Sequence, residues 1–245
     1  MGLKVYKYNE VIQNLMLFLV LSIFYLHIVI SFNKGLSALN WISLKSLVFD
    51  LPVLNLLFIG SILSIMRAKS FSKIFLTLFF LYISSYGFFL FFENFDKIIL
   101  VLNFIYIIFA FYFYIYWTFE LRKAIYLPCY TPHDIGDKTY YDLKGKILIK
   151  DRKKEISGYI VNWDQEGCFF YSKDLPEKRN KGKLTLVIEF EGLVFSQDAE
   201  IVTSYFNGIG LRFVIKKKEN NSSYSWSDFF KIIGDRGFLP LYLRK

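Results

Sequence analysis

Cysteine and histidine are scarce in this chain. Its 245 residues include 2 cysteines, Cys129 and Cys168, and 2 histidines, His27 and His133. Two cysteines so far apart form no disulfide framework and have no metal-ligand spacing. With a single histidine in the second half, no Ser-His-acid set can be assembled there, and no phosphate loop is visible. The chain is therefore predicted to have no metal site, no cofactor and no enzymatic activity.

Charged residues are missing or nearly missing from four long runs in the first half. These runs are 11–32, 46–66, 74–92 and 98–119, and they hold most of the apolar excess of a chain that is 54% hydrophobic with 28 Phe. A helix of about 20 apolar residues spans the hydrocarbon core of a bilayer. We therefore predict a four-helix transmembrane domain over residues 1–123, with the lipid bilayer as its first partner.

The positive charges that flank these runs are unequally distributed. One side would carry Lys4, Lys7, Arg67, Lys69, Lys73, Arg122 and Lys123, and the other only Lys34, Lys45 and Lys97. Because cytosolic loops are enriched in Lys and Arg, both termini are predicted to be cytosolic. The formal net charge of +9 fits such a membrane protein, and neither half is basic enough to require a nucleic acid partner.

Two ionisable residues, His27 and Asp50, fall inside the predicted spans at similar depth. Charges within a membrane are costly, so one interpretation is a proton-responsive or ion-conducting pair in a small channel or transporter. The alternative is interfacial placement, with Asp50 near the headgroups ahead of Pro52. The spans are crowded with large side chains rather than small ones, which favours anchoring over a pore.

The second half has a different pattern. Residues 124–143 are predicted to be a linker, followed by a β-barrel domain over 144–245. Alternating runs predict six strands, at 146–150, 158–163, 168–172, 184–190, 199–205 and 209–215, a pattern typical of a small antiparallel barrel or sandwich. In the fifth run the alternation places Ala199, Ile201, Thr203 and Tyr205 on one face. A helix follows, capped by Ser225 with Asp228 and ending at Gly234.

Several short motifs in this half occur in a characteristic order. Gly158 precedes a strand; Asn162-Trp-Asp164-Gln-Glu-Gly167 precedes an apolar pair; Gly182 precedes the next strand; and Ile209-Gly-Leu-Arg-Phe213 closes the pattern. In this order and spacing the stretch resembles the PilZ domain, a bacterial six-stranded barrel. The resemblance covers most of residues 144–233 and implies signalling through cyclic di-GMP at the bacterial inner membrane.

The resemblance also implies binding residues. In the family the D/N-x-S-x-x-G segment contacts a guanine, which here corresponds to Asn162, Asp164 and Gly167. The family's R-x-x-x-R clamp is missing, and only Lys138, Lys144 and Lys146 are available as phosphate contacts. Asp164 also replaces the family's serine. The same residues, with Asp first and Gly fourth, are typical of a tight turn that binds nothing.

The resulting prediction is a membrane-anchored PilZ-type regulatory or adaptor protein. It would act on motility or envelope machinery, with or without cyclic di-GMP, through a protein partner. The alternative is a structural subunit of a flagellar, pilus or secretion assembly, in which the barrel is a ligand-independent scaffold and the chain forms a homo-oligomer. A third alternative is a four-helix protein with an OB-type barrel resembling the NfeD family.

Overall fold

The computed structural model describes residues 3–37, 39, 41–130, 143–149, 154–175, 183–214 and 224–238. The chain forms two compact units: a helical unit, Tyr8–Leu121, and a barrel unit made of Met1–Lys7 and Arg122–Lys245. Residues 3–7, which were predicted to belong to the helical domain, thus belong to the barrel unit. They do so because a short strand, β1 (Lys4–Val5), pairs with a barrel strand.

In its described residues the helical unit contains five helices. They are α1 (Glu10–Asn33), α2 (Trp41–Asp50), α3 (Pro52–Met66), α4 (Ser72–Asn94) and α5 (Lys97–Glu120). Three of them, α1, α4 and α5, are long and apolar enough to cross a membrane. This length and composition are those of a membrane protein, as the sequence predicted.

The predicted second span, 46–66, is wrong as a continuous helix, so the structure shows three spans of full length and not four. The helix breaks at Leu51, because the ring of Pro52 disfavours helical geometry in the residue before it. Pro52 then occupies the first turn of α3, where its missing N–H costs nothing. With 15 residues, α3 is about 22 Å long, which is shorter than a hydrocarbon core of about 30 Å.

Polar side-chain contacts show the relative directions of α1, α4 and α5. The Asn9 amide, at the start of α1, donates to the Glu120 carboxylate at the end of α5. The Trp117 indole N–H donates to Ser72 at the start of α4, at 2.8 Å. At the opposite end of the unit, Asn33 donates to Glu93. Consequently α1 and α4 run in the same direction and α5 runs against them, so the helical unit begins and ends on one side.

The barrel unit contains six strands that close into an antiparallel barrel, as predicted. They are β2 (Leu143–Ile149), β3 (Lys154–Trp163), β4 (Gly167–Tyr171), β5 (Lys183–Phe190), β6 (Leu193–Tyr205) and β7 (Gly208–Phe213). The order is β6-β5-β2-β3-β4-β7, and β7 pairs with β6 to close the ring. The predicted residues Lys138, Gly182 and Ile215 lie outside the described residues.

Alternating side chains fill the barrel, and a helix, α6 (Trp226–Asp235), contributes side chains to the same core. Leu184, Leu186 and Ile188 of β5 point inward as predicted, and Trp226 and Phe229 of α6 belong to the same core. Ser225 and Asp228 form the expected capping box. The expected stop at Gly234 is wrong: Gly234 is helical, and Gly237 instead takes the left-handed conformation, with φ +77°.

One predicted strand face is also wrong. The pairing of β6 with β7 shifts register between Ile201 and Thr203. An extra residue in one strand moves every later side chain to the other face. As a result Val202, Thr203 and Ser204 are all buried, and Thr203 does not continue the face that Ala199 begins. This bulge is also where the N-terminal residues attach, since the Tyr6 N–H donates to the Val202 carbonyl at 2.8 Å.

Candidate functional site

The segment that resembles the family motif forms the tight turn between β3 and β4. One oxygen of the Asp164 carboxylate accepts from the backbone N–H groups of Glu166 and Gly167, both at 2.8 Å. The Asp164 N–H in turn donates to the Gly167 carbonyl at 2.9 Å. An aspartate that bonds its own backbone in this way stabilises a turn without any ligand.

The other oxygen of Asp164 reaches a different part of the chain. It accepts from the backbone N–H of Ala124 at 2.7 Å. Ala124 belongs to what we call the connecting segment, residues 122–130, which directly follows α5. The backbone carbonyl of Asp164 also accepts from the Trp226 indole at 2.9 Å. Asp164 therefore holds together the turn, the connecting segment and α6.

Asn162 binds the same connecting segment one turn further on. Its side chain is fully buried, its Nδ2 donates to the Leu127 carbonyl at 2.9 Å, and its Oδ1 accepts from the Trp163 N–H at 3.0 Å. Asn and Asp side chains can pair with a guanine edge, which is the role that the resemblance implies. In this structure both groups of the Asn162 amide are engaged with the protein's own backbone.

The connecting segment packs against the barrel, where its 3-10 helix contacts β3, β4, β6 and β7. A short 3-10 helix, Ala124–Tyr126, is buried, and Ile125 is completely inaccessible. The Thr203 hydroxyl donates to the Ile125 carbonyl. A Cβ atom on Gly210 would lie 2.2 Å from that carbonyl oxygen, so only glycine permits this approach.

The far end of the connecting segment covers the outer surface of β4. The Tyr130 hydroxyl donates to the Tyr205 carbonyl at 2.9 Å. Its ring packs in a small cluster with Val161, Phe169 and Tyr171. Because the barrel core covers one face of β4 and this cluster the other, all five residues of β4 are buried.

A charged pair marks the rim of this arrangement. The Lys123 ammonium lies 2.6 Å from the Glu166 carboxylate of the turn. Residues 124–143 were predicted to be a linker and Lys123 only a flanking positive charge, so neither was expected at the turn. The available signal was the apolar run Ala124-Ile125-Tyr126, which would not be expected in a solvated linker.

The two candidate phosphate contacts lie elsewhere. Lys144 and Lys146 point outward from β2 and line an open groove of about 900 Å³, which we call the seam groove. Lys146 pairs with Glu155 at 2.8 Å, and this carboxylate raises the pKa of Lys146. As defined by the described residues, the groove is not lined by Asn162, Asp164 or Gly167. The structure thus does not bring the lysines and the turn together in one pocket.

The helical unit contains the other two residues that the sequence singled out. His27 is buried within α1, whereas Asp50 is exposed at the end of α2, beside the break before Pro52. Among the described residues no group of three or more His, Cys, Asp and Glu side chains could hold a metal ion.

The comparisons with known proteins bring no further assignment: no family model matches the chain, and no curated protein matches it. The residue contacts described above are therefore the basis for the function that we infer.

Proposed function

We propose that this protein is a membrane-anchored PilZ-type adaptor at the cytosolic face of the bacterial inner membrane. Its helices anchor the barrel there, and the barrel acts on a protein partner in motility or envelope machinery. Two features support the proposal: three helices of membrane-span length and composition, and a closed barrel whose motifs follow the order of the PilZ pattern.

The observation that carries the proposal is the double attachment of the barrel. The chain passes between the two units twice, and the segments at both crossings are part of the barrel. Before α1, strand β1 pairs with β6. After α5, the connecting segment is buried against β3, β4, β6 and β7, with Ile125 at its centre. The barrel is thus joined covalently to the helices at two points of the chain, after Lys7 and before Arg122.

We further propose that this adaptor works without cyclic di-GMP at the β3–β4 turn. The polar groups of Asn162 and Asp164 are already bonded to the connecting segment. A ligand using these groups would have to displace buried backbone contacts, each of which costs about 1–3 kcal/mol when its partner is left unsatisfied. Asp164 also places a negative charge where an anionic ligand would approach.

Calorimetric titration of the full chain in lipid nanodiscs with cyclic di-GMP tests whether the adaptor is independent of this ligand. We expect no saturable binding at micromolar ligand, a threshold that corresponds to about 8 kcal/mol. The matched variants are Asn162→Ala, in the turn region, and Lys146→Ala, in the seam groove. The opposite outcome is saturable binding that is abolished in Asn162→Ala and unchanged in Lys146→Ala. It would contradict the ligand-independent adaptor and indicate a second-messenger receptor instead.

The proposed orientation has its own test in membrane vesicles. Lys173 is exposed on the barrel, so Lys173→Cys in a Cys129→Ser background gives a single accessible thiol. We expect a membrane-impermeant maleimide to label it in inside-out vesicles and not in right-side-out vesicles. The opposite labelling pattern would place the barrel on the outer side and remove the cytosolic adaptor from consideration.

The second candidate is a structural subunit of a membrane assembly, and the surface of α4 and α5 favours it. This surface is densely aromatic: Phe89, Phe92, Phe104, Phe109, Phe111, Tyr112 and Phe119 are all exposed. Such a surface suits lipid as well as neighbouring subunits. The mass of the complex released by mild detergent distinguishes the two candidates, because an assembly subunit gives a closed ring of copies and an adaptor gives one chain with its client.

A further inference from the structure

The turn between α3 and α4 carries three positive charges and no negative one. We call residues 67–73 the basic loop; its cations are Arg67, Lys69 and Lys73, and it contains no Asp or Glu. Arg67 is exposed, and the two lysines are partly exposed. Within the described part of the chain these three side chains make no ion pair. Ion pairs do form at four cations of the barrel unit, namely Lys7, Lys123, Lys146 and Arg236.

Backbone hydrogen bonds fix the shape of the basic loop. Ala68 adopts the left-handed conformation, and its N–H donates to the Ile65 carbonyl at 2.9 Å. The Lys69 N–H donates to the Ser64 carbonyl at 3.2 Å. These two bonds form a Schellman motif, which satisfies the last carbonyl groups of α3. The Ser72 N–H then donates to the Lys69 carbonyl at 3.0 Å, so the cations are carried by a turn of defined geometry.

The positive charge of the basic loop is not compensated locally. Lys73 lies in the first turn of α4, where the helix dipole disfavours a cation, and this turn has no acidic residue. The Lys69 ammonium lies 5.0 Å from the centre of the Phe71 ring, a cation–π contact that leaves its charge in place. The Ser72 and Lys73 N–H groups are already bonded to backbone carbonyls. An anion would therefore be bound by the three charged side chains.

Exposed apolar side chains lie on both helices directly beside this charge. Residues three or four positions apart share one face of a helix. With that spacing, the α4 stripe is Phe71, Ile74, Leu78 and Leu81, and the α3 stripe is Leu63, Ile59 and Leu56. All seven side chains are between 41% and 68% exposed. The α3 stripe leads to Arg67 with the same spacing, so both stripes begin at the basic loop.

The basic loop lies at the end of the helical unit where α5 finishes. The Trp117 indole N–H, near the end of α5, donates to Ser72 of the loop. When apolar helices span a bilayer, their ends meet the lipid headgroups. Basic segments at that level attract anionic lipid. A free phosphate or an acidic peptide would match the charges alone, whereas a phospholipid matches both the charges and the apolar stripes.

We propose that the basic loop is a binding site for an anionic phospholipid. The lipid phosphate contacts Arg67, Lys69 and Lys73, and the acyl chains lie along the two stripes. Arginine suits this role because its guanidinium can bind a phosphate through two N–H groups, and the lysines add point charges. The site rests on the membrane insertion of the proposed function and needs neither a cytosolic barrel nor a client. Failure to bind lipid would thus leave the adaptor function untested and unchanged.

Native mass spectrometry of the full chain in mild detergent tests this site. The probes are phosphatidylglycerol and phosphatidylcholine with the same acyl chains. We expect phosphatidylglycerol to bind about tenfold or more tightly, because only its headgroup has a net negative charge. Equal binding of the two lipids would overturn the proposal.

Two charge-matched variants locate the preference. The loop variant combines Arg67→Gln, Lys69→Gln and Lys73→Gln, and it should lose the preference for phosphatidylglycerol. The control variant removes three exposed lysines elsewhere in the helical unit, by Lys34→Gln, Lys45→Gln and Lys97→Gln. The control should keep the preference, and thermal unfolding with phosphatidylcholine verifies that both variants are folded. A preference lost equally in both would indicate an effect of net charge and overturn the site. A preference kept in the loop variant would also overturn it and leave an acidic protein segment as the alternative occupant.

Photolabelling tests where the acyl chains lie. Phosphatidylglycerol with a photoreactive group in its acyl chain should label residues 59–63 and 74–78 in the unchanged protein, and the loop variant should lose this labelling. Equal labelling of the exposed surface of α5, at residues 104–111, would show only general contact with lipid and contradict the site. An excess of inorganic phosphate at constant ionic strength should leave the labelling unchanged. Loss of labelling would instead assign the basic loop to free phosphate.

Discussion

The Asp164 carboxylate accepts a hydrogen bond from the backbone N–H of Ala124 at 2.7 Å. The contact joins the β3–β4 turn to the first buried residue of the connecting segment. The aspartate stands where the motif that this segment resembles has a serine. A serine has one side-chain oxygen, whereas the two carboxylate oxygens of Asp164 accept from Ala124 on one side and from Glu166 and Gly167 on the other.

Replacing this aspartate by the family's serine should weaken the hold on the connecting segment. In Asp164→Ser the Ala124 N–H loses a charged acceptor in a part-buried site, at a cost of about 1–3 kcal/mol. We expect faster hydrogen exchange at Ala124 and faster proteolysis within residues 122–130. Glu166→Gln is the matched control, because Glu166 is exposed and its carboxylate pairs with the rim residue Lys123, and exposed ion pairs contribute little. Equal effects of the two variants would contradict the role assigned to Asp164.

The close approach of Ile125 to the barrel predicts that Gly210→Ala is strongly destabilising. The new Cβ would lie 2.2 Å from the Ile125 carbonyl oxygen and equally close to the Thr203 hydroxyl, so the backbone has to move. We expect a loss of about 1–3 kcal/mol, typical of overpacking, measured by chemical unfolding of the full chain in detergent. Gly234→Ala is the control: a Cβ there meets nothing within 4 Å, and alanine in place of a helical glycine adds up to about 1 kcal/mol of stability.

A buried hydrogen bond in the helical unit predicts a specific coupling between α4 and α5. Ser72→Ala removes the acceptor of the Trp117 indole N–H, and both side chains are fully buried. We expect a loss of about 1–3 kcal/mol in thermal unfolding in detergent, because a buried donor is left unsatisfied. In a Trp117→Phe background the same change should have little effect. Additive effects of the two changes would show that the bond does not couple the helices.

The two cysteines should differ in reactivity and in its dependence on pH. Cys129 is exposed, and Cys168 is buried in the barrel core, where burial raises the pKa of the Cys168 thiol well above its usual range. Alkylation needs an accessible thiolate, so raising the pH from about 7 to about 9 should leave Cys168 unmodified while the exposed Cys129 is alkylated. Mass spectrometry of the alkylated protein checks this. Cys129→Ser should remove labelling of the folded protein, and labelling of Cys168 under native conditions would show that the barrel opens.

Much of the architecture was predictable because it follows from local patterns. The apolar lengths of α1, α4 and α5, the alternation of Leu184, Leu186 and Ile188, and the Ser225–Asp228 cap depend only on neighbouring residues. The errors arose where two local sequence signals predicted different structures. Apolar composition alone predicted a continuous second span, but Pro52 broke it. Gly234 looked like a helix stop, although Gly237 provides it three residues later.

The candidate site was the least predictable part. The sequence identified Asn162, Asp164 and Gly167 as a unit, but the residue types suit both a ligand and a turn. Nothing in the local sequence shows that Asp164 accepts a hydrogen bond from the Ala124 N–H. Nor does it show that Asn162 donates one to the Leu127 carbonyl. Likewise, the separation of Lys144 and Lys146 from the turn depends on the strand pairing rather than on their spacing in the chain.

The amino-acid sequence by itself determined that apolar helices precede a β-barrel with a capped helix after it, because hydrophobic periodicity selects these elements residue by residue. Only the tertiary structure decided what the polar groups of the β3–β4 turn bind. Burying the connecting segment left the backbone groups of Ala124, Ile125 and Leu127 in need of partners away from water. Asp164, Thr203 and Asn162 meet that need, and long-range packing alone brings them there.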